Sequence, residues 1–220
     1  MNLADELIRG AGLLGLDLTA RQIEQFMVYL AELQRWNKTY NLTTISEPAA
    51  IIHKHFLDSL NYIKALDDCA EILDLGSGAG FPGLPLAIVR PQSKFVLVDG
   101  RRKKTLFLNY VVQKLGLKNV EIIHLHLSQG NAREIFKQPF SALVTRAVAV
   151  LREVVPVADS LLENRGVLIF SDAHPDRQMI EAGLEKWPEL SLEKLEKTKL
   201  SGRSSDIYLG TIRKEQYETC

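Results

Sequence analysis

Four glycines within eight residues, with an acid on either side, form the stretch of this chain whose spacing speaks most directly of chemistry. Asp74-Leu75-Gly76-Ser77-Gly78-Ala79-Gly80-Phe81-Pro82-Gly83 follows an apolar run that reads as a strand and leads into one that reads as a helix. That is the context in which a glycine loop has mechanical meaning. Glycine admits positive φ and lets a ligand touch the backbone. Asp99 ends the next apolar run, placed to accept hydrogen bonds from ribose hydroxyls at the C-terminal edge of an open sheet.

Two cofactor readings compete for this loop. Gly78-Ala79-Gly80-Phe81-Pro82-Gly83 satisfies the dinucleotide pattern G-x-G-x-x-G, yet Pro82 lacks the N–H that a pyrophosphate cradle would use. Asp74 with Gly76, Gly78 and Gly80 reads instead as D-x-G-x-G-x-G. A carboxylate facing the loop repels a pyrophosphate but suits a cofactor carrying an ammonium and a sulfonium, as S-adenosylmethionine does. A plain tight turn explains one or two glycines, not four between acids. S-adenosylmethionine is the preferred reading over NAD.

Methyl transfer from a sulfonium is an in-line displacement governed by positioning. The fourth apolar run ends in Val144-Thr145-Arg146-Ala147, without the Asn or Asp, prolines and aromatic common in enzymes that methylate exocyclic amines. Cytosine C5 methylation needs a thiolate, and neither Cys69 nor Cys220 is well placed. An acceptor with its own lone pair, such as a purine ring nitrogen, remains by elimination. Arg101, Arg102, Lys103 and Lys104 open the helix after Asp99, where the macrodipole favours acids over cations. Phosphate contact and a merely solvated charge run account for them about equally well. Arg35, Lys38, Lys54, Arg90, Arg146 and Arg152 are candidates to extend such a surface.

The elements that must position these groups fall into two regimes. Residues 1–68 read as a helical N-terminal cap, in which Thr19 and Gln22 form a capping box. Ile23, Phe26, Met27, Leu30 and Leu33 then recur at helical spacing up to about Trp36. Asn37 to Asn41 reads as a loop, Ser46-Glu47-Pro48 opens another helix, and Phe56 to Leu60 a further one. Residues 69–220 alternate strands, at 71–75, 94–99, 119–124, 142–145 and 166–170, with helices at 84–89, 103–115, 151–163 and 176–186. Such alternation builds a mostly parallel α/β sheet covered on both faces. Runs at 190–197 and 207–212 lack an intervening helix and suggest an antiparallel hairpin.

The 220 residues are 46% hydrophobic and 25% charged, the proportions of a globular protein. Lys plus Arg and Asp plus Glu each total 27, which argues against a polybasic binder of any polyanion. An acidic start without a signal-like pattern, no membrane-spanning run and two distant cysteines predict a cytoplasmic protein with no metal site and no membrane contact. Nothing in the sequence suggests an obligate dimer, and a monomer is the expectation.

With these motifs in hand, the chain resembles the GidB/RsmG family of bacterial methyltransferases, from about Gln34 to Val157. Trp36-Asn37-Lys38-Thr39-Tyr40-Asn41-Leu42-Thr43 is similar to the family's W-N-K-x-Y-N-L-T, and Lys54 to Leu60 to its R-H-x-L-D-S-L. Gly76 to Gly83 is similar to G-x-G-x-G-[FL]-P-G, and Thr145-Arg146-Ala147-Val148-Ala149 to S-R-A-x-A. Arg90-Pro91, and Asp99 followed by Lys103-Lys104 and Phe107-Leu108, continue the match. The resemblance implies a class I, Rossmann-like fold, S-adenosylmethionine as donor, and N7 of a guanine in 16S ribosomal RNA or the small subunit as acceptor. It also implies that Gly76, Phe81, Leu127, Ser128 and Arg146 line the cofactor pocket, with Leu127 and Ser128 around the adenine. Arg146 is then the catalytic candidate, holding cofactor or a phosphate, and Arg101, Arg102, Lys103 and Lys38 are the RNA-binding candidates.

Three departures from the family pattern stand out, the first at the adenine end of the cofactor site and the other two, lost cations, on the RNA side. Leu127-Ser128-Gln129 lacks the acids often found there, Ser171-Asp172-Ala173-His174 replaces a Lys-Gly, and Ser204-Ser205-Asp206 stands where an Arg is expected, with Arg203 displaced. They motivate a rival reading as a non-catalytic RNA-binding relative, beside the NAD-dependent oxidoreductase. His53 and His55, two apart, do not share a helix face. His55 reads as a hydrogen-bonded structural residue bridging cap and core, Asp58 as a helix-stabilising or loop-orienting carboxylate, and Asn37 and Asn41 as turn residues.

Overall fold

The computed structural model describes residues 2–66, 69–146, 151–198 and 206–215. The expected boundary at residue 68, Ala147 to Ala149 of the fourth motif, and Arg203 to Ser205 lie outside these. The helical regime comprises α1 (Leu3–Leu13), α2 (Ala20–Tyr40), α3 (Pro48–Ile51), a π-helical segment (Ile52–Leu57), α4 (Asp58–Leu60) and a 3₁₀ segment (Asn61–Leu66). After it come β1 (Glu71–Leu75), α5 (Gly83–Val89), β2 (Lys94–Asp99), α6 (Arg102–Leu115), β3 (Val120–His124), α7 (Gln129–Ile135) and β4 (Phe140–Thr145). The chain continues through α8 (Leu151–Leu161), β5 (Leu162–Asp172), α9 (Arg177–Leu184), β6 (Leu190–Lys197) and β7 (Tyr208–Lys214).

The strands form one sheet in the order β3-β2-β1-β4-β5-β7-β6. The first five pair in parallel, and β7 enters antiparallel between β5 and β6. The predicted α/β sheet with its antiparallel hairpin is therefore present. The order reverses at β1 and β4, so the loops after their C-terminal ends open a crevice. β1 and β2 have the predicted bounds because each is buried on both faces, which makes a parallel strand a continuous apolar run.

Two expectations about local structure are corrected. Residues 37–40 are helical, and only Asn41 takes the left-handed conformation, at φ 48°. Packing of Trp36 against Phe107, Tyr110 and Tyr40, with centroids 5.3–5.5 Å apart, carries the helix through a polar stretch that propensity alone reads as a turn. The Asn37 side chain then accepts the Thr43 N–H at 2.9 Å and holds the loop that follows. The second correction is α7, an additional helix directly after the third-strand loop.

Cap and sheet share one buried cluster, from Leu7 through Phe26, Tyr29 and Phe56 to Phe81, Phe107 and Ile169. Polar ties reinforce it: the Gln25 amide donates to Leu115 O at 2.8 Å and the Tyr62 hydroxyl to Thr145 O at 2.8 Å. Among the described residues, no helix is long and apolar enough to cross a membrane, and no three His, Cys, Asp or Glu gather as a group that could hold a metal ion.

Candidate active site

The glycine loop turns over the C-terminal end of β1. Gly76 and Ser77 donate to Val98 O, at 2.9 and 3.1 Å, so the loop is bolted to β2. Gly76 has φ +70° and open space where a Cβ would project. It forms one wall of a cavity whose other walls include Asp99, Gly100, His126, Leu127 and Thr145. Asp99 is 8% exposed. Its two oxygens accept the Gly78 N–H at 2.9 Å and the Arg101 N–H at 2.8 Å. A carboxylate offers about four acceptor sites, so Asp99 retains capacity for two hydroxyls. Gly76, Asp99 and Leu127 thus meet where the sequence places them.

Other expected pocket residues lie elsewhere, each for a physical reason. Asp74 is fully buried beneath the loop instead of facing a ligand from its surface. Its Oδ2 accepts the Gly83 N–H at 2.9 Å, while Oδ1 has no hydrogen-bond partner. Burial pushes its carboxyl up to about 7, with Asp99 adding repulsion, against the opposing bonds from Gly83 and Ser77. Gly80, at φ +104°, faces the cap: a Cβ there would collide with the Tyr29 hydroxyl and Leu84. Tyr29 donates to Ala79 O. Gly78 keeps its place beside Asp99 through its N–H.

Asp74 yields a stability prediction. An unfolded chain ionises an aspartate near ~3.9, the folded one near 7, so between these values the folded state holds the extra proton. Stability from this group is complete below the unfolded value and is lost as pH rises through the folded one. Asp74→Asn retains an acceptor for Gly83 and removes the titration. Its melting temperature relative to wild type should rise by roughly 5 °C between pH 5 and 8.5, read by thermal denaturation. A constant difference would contradict the assignment.

Phe81 points away from the cavity, 7% exposed. It stacks on His55 with centroids 4.4 Å apart and planes 16° apart, and on Tyr29 at 5.6 Å. Arg146 lies over the outer side of the same ring, 5.7 Å from its centroid. Its guanidinium donates to His55 Nδ1 at 3.1 Å, Lys54 O at 2.9 Å and Asp58 Oδ2 at 3.3 Å. Because a guanidinium only donates, His55 Nδ1 accepts and its proton sits on Nε2, which faces Thr43 Oγ1 at 2.9 Å. The bridging role expected of His55 is what its contacts display, and Asp58, expected to stabilise a helix or orient a loop, accepts from Arg146. Arg146 is held at the cap–core junction and not on the wall formed by Gly76, Asp99 and Leu127. Ser128 is likewise off that wall. It precedes α7, its N–H donating to Asn131 Oδ1 at 2.9 Å, a cap that the S-x-x-N spacing at 128–131 signals in hindsight.

Arg101, Arg102 and Lys103 are exposed at the start of α6. Lys104, the last of that cationic cluster, reaches the loop: its Nζ is 3.3 Å from where a Gly78 Cβ would lie. Burial lowers its affinity for a proton, partly offset by Asp99. Lys38 is exposed near the end of α2, two residues from Trp36 and therefore on a different side of the helix from the ring that packs on α6. His126 and Thr145 are cavity residues that sequence reasoning missed. His126 carries no signal beyond its place just before Leu127.

Comparison with known proteins accords with this geometry. The GidB family model, described as rRNA small subunit methyltransferase G, matches residues 22–208. The Ribosomal RNA small subunit methyltransferase G of Ectopseudomonas mendocina is 40% identical over 151 residues, 68% of this chain and 69% of its own length. That of Geobacter metallireducens is 36% identical over 189 residues, 86% and 85% of the two chains. Among solved structures, the O-methyltransferase TomG from Streptomyces achromogenes, in complex with SAM, superposes with a TM-score of 0.61 at 15% identity over 86% of this chain and 90% of that one. An O-methyltransferase from Bacillus cereus, in complex with SAH, gives 0.61 at 15% identity over 84% and 90%. At such identities the structural likeness speaks for the class I methyltransferase fold alone. From the family match over most of its length, this chain belongs to the GidB family of small-subunit ribosomal RNA methyltransferases.

Proposed function

We propose that the protein transfers a methyl group from S-adenosylmethionine to N7 of a guanine in 16S ribosomal RNA. Family membership supplies the reaction and the RNA. The structural observation that carries the donor is the Asp99 carboxylate, tied to the glycine loop through Gly78, at the mouth of a cavity that is open over Gly76 and otherwise walled largely by apolar side chains such as Val98, Leu125 and Leu127. Spare acceptor capacity beside an apolar slot suits a ribose joined to a flat base.

The bound donor would supply an electrophilic methyl group on a sulfonium. N7 would accept that methyl group with its own lone pair, and no proton would leave the base. The chain therefore needs no general base at N7. Its tasks are to hold the donor through Asp99 and the loop, and to seat an accessible guanine, since N7 in an RNA helix faces a groove too narrow for side chains. Arg146, fixed by four groups of the cap and loop, is assigned to orient a phosphate or the donor's carboxylate at the rim, its charge kept off the cationic product.

The NAD reading loses ground to one contact. The first amide of α5, Gly83 N–H, is already taken by Asp74, so an acid occupies the position where a pyrophosphate would bind. Incubation with methyl-labelled donor and either 16S RNA or small subunits, followed by mapping of the modified nucleotide, tests the proposal. Donor binding without incorporation into either would favour the non-catalytic rival. Thermal stabilisation by NADH and not by S-adenosylhomocysteine would sink the donor assignment. We also propose that the protein acts as a cytoplasmic monomer, which light scattering and fractionation would check.

A further inference from the structure

The exposed side of α6 continues outward from the cofactor cavity, and its chemistry is unusual for a solvated helix face. Arg102, Lys103, Leu106 and Tyr110 fall within ~100° of one another around the helix axis. Leu106 is 54% exposed, and α6 has no acidic residue. Across the seam with α2, Tyr110 and Tyr40 flank the Trp36 ring, each at 5.3 Å, and Tyr40 is 42% exposed. Arg35 lies over Tyr110, 5.3 Å from its centroid, and donates to its hydroxyl at 2.7 Å. Arg35 also pairs with Glu32 at 2.6 Å, so it is a held group and not a free counter-charge. A lone exposed leucine is ordinary. One set between two cations and a row of aromatic rings is a different surface.

We infer that this face, Arg102–Lys103–Leu106–Tyr110 on α6 with Tyr40 on α2, binds the single-stranded RNA flanking the target nucleotide, phosphates on the cations and bases on the apolar and aromatic groups. The inference rests on the RNA acceptor proposed above and names the part of the protein that receives it. Unpaired bases present faces that stack on aromatic side chains without sequence preference; a duplex hides those faces. An acid-free helix complements a polyanion and repels a basic protein partner. Continuity with the active site is direct, because the Arg101 N–H that starts α6 is bound to Asp99 and Lys104 lies against the glycine loop.

The test uses the full chain and the double variant Tyr40→Ala/Leu106→Ser, both changes at exposed positions outside the proposed cofactor site. Fluorescence anisotropy with a short unstructured RNA, and with a fully paired hairpin of the same composition, gives two dissociation constants. The single-strand value should weaken by about fivefold or more. The hairpin value and the calorimetric affinity for S-adenosylhomocysteine should stay near wild type, while the melting temperature should fall by a few degrees at most through the lost Tyr40–Trp36 packing. Unchanged single-strand affinity, or equal loss for both RNAs, would overturn the proposed face. Methylation of 16S RNA by the wild-type chain, run alongside, separates the two claims. Its absence counts against the functional reading, while an active wild type with an indifferent double variant counts against this face alone.

Discussion

Arg146→Ala should lower single-turnover methyl transfer by about 100-fold or more while leaving S-adenosylhomocysteine affinity within about tenfold of wild type. The expectation follows from what holds the guanidinium. It is 24% exposed and bonded to His55, Lys54 O and Asp58, so its position is set before any ligand arrives. A preorganised charge acts at the rim without reorganisation during the reaction. Removing it also takes a partner from Asp58, only 7% exposed, and a covering group from the Phe81 ring. Some loss of melting temperature is therefore expected. Arg146→Lys distinguishes the two effects. Lysine keeps the charge but cannot bond forked to Lys54 O and His55 while lying over an aromatic ring. It should restore part of the stability and little of the transfer. A fully active alanine variant would remove Arg146 from the reaction.

This network explains what was and was not legible in the sequence. The order of strands and the place of the glycine loop follow from local signals: apolar runs of strand length, glycines at their C-terminal ends, and an acid closing β2. These depend on neighbours a few residues away. Where Phe81, Gly80 and Asp74 point does not. Phe81 faces His55 and Tyr29, and Gly80 is small because Tyr29 needs the space. Both are contacts across about 25 to 50 positions of sequence, made only when the cap docks. Asp74 was expected at a ligand and lies beneath the loop, because alternation along β1 puts it with Ile72 on the cap-facing side. The field of Asp99 at Lys104, which partly offsets the effect of burial on that lysine, is visible in the sequence only as two separate charge signals.

The balanced total charge also takes on meaning from placement. Asp99 sits beside the loop on the cavity wall, where a cationic donor needs an acid, and the acid-free face of α6 begins three residues beyond it. Zero net charge is the sum of two surfaces of opposite preference. Arbitrary RNA gains little from such a protein through long-range attraction. Binding must come from the few phosphates and unpaired bases that fit the α6 face, which makes selectivity a matter of shape.

Asp99→Ala should produce the largest loss in donor binding, about 100-fold in the dissociation constant for S-adenosylhomocysteine by calorimetry. Two effects combine. Hydrogen bonds from ribose hydroxyls to a carboxylate are each worth ~1.5–3 kcal/mol, and both are forfeited. The change also frees the Gly78 and Arg101 amides, so the loop loses its tie to β2 at Gly78 and α6 loses the acceptor at its first turn. The Gly76 and Ser77 bonds to Val98 O remain, so the loop is loosened and not released. Asp99→Asn separates the contributions: its carbonyl oxygen can satisfy one amide, but the negative charge is gone. It should bind the donor with intermediate strength. RNA affinity in the absence of donor should change by less than about threefold in either variant, since the α6 cations are untouched. Donor affinity unaffected by the alanine substitution would detach Asp99 from the ribose and leave its contacts with Gly78 and Arg101 as its whole role.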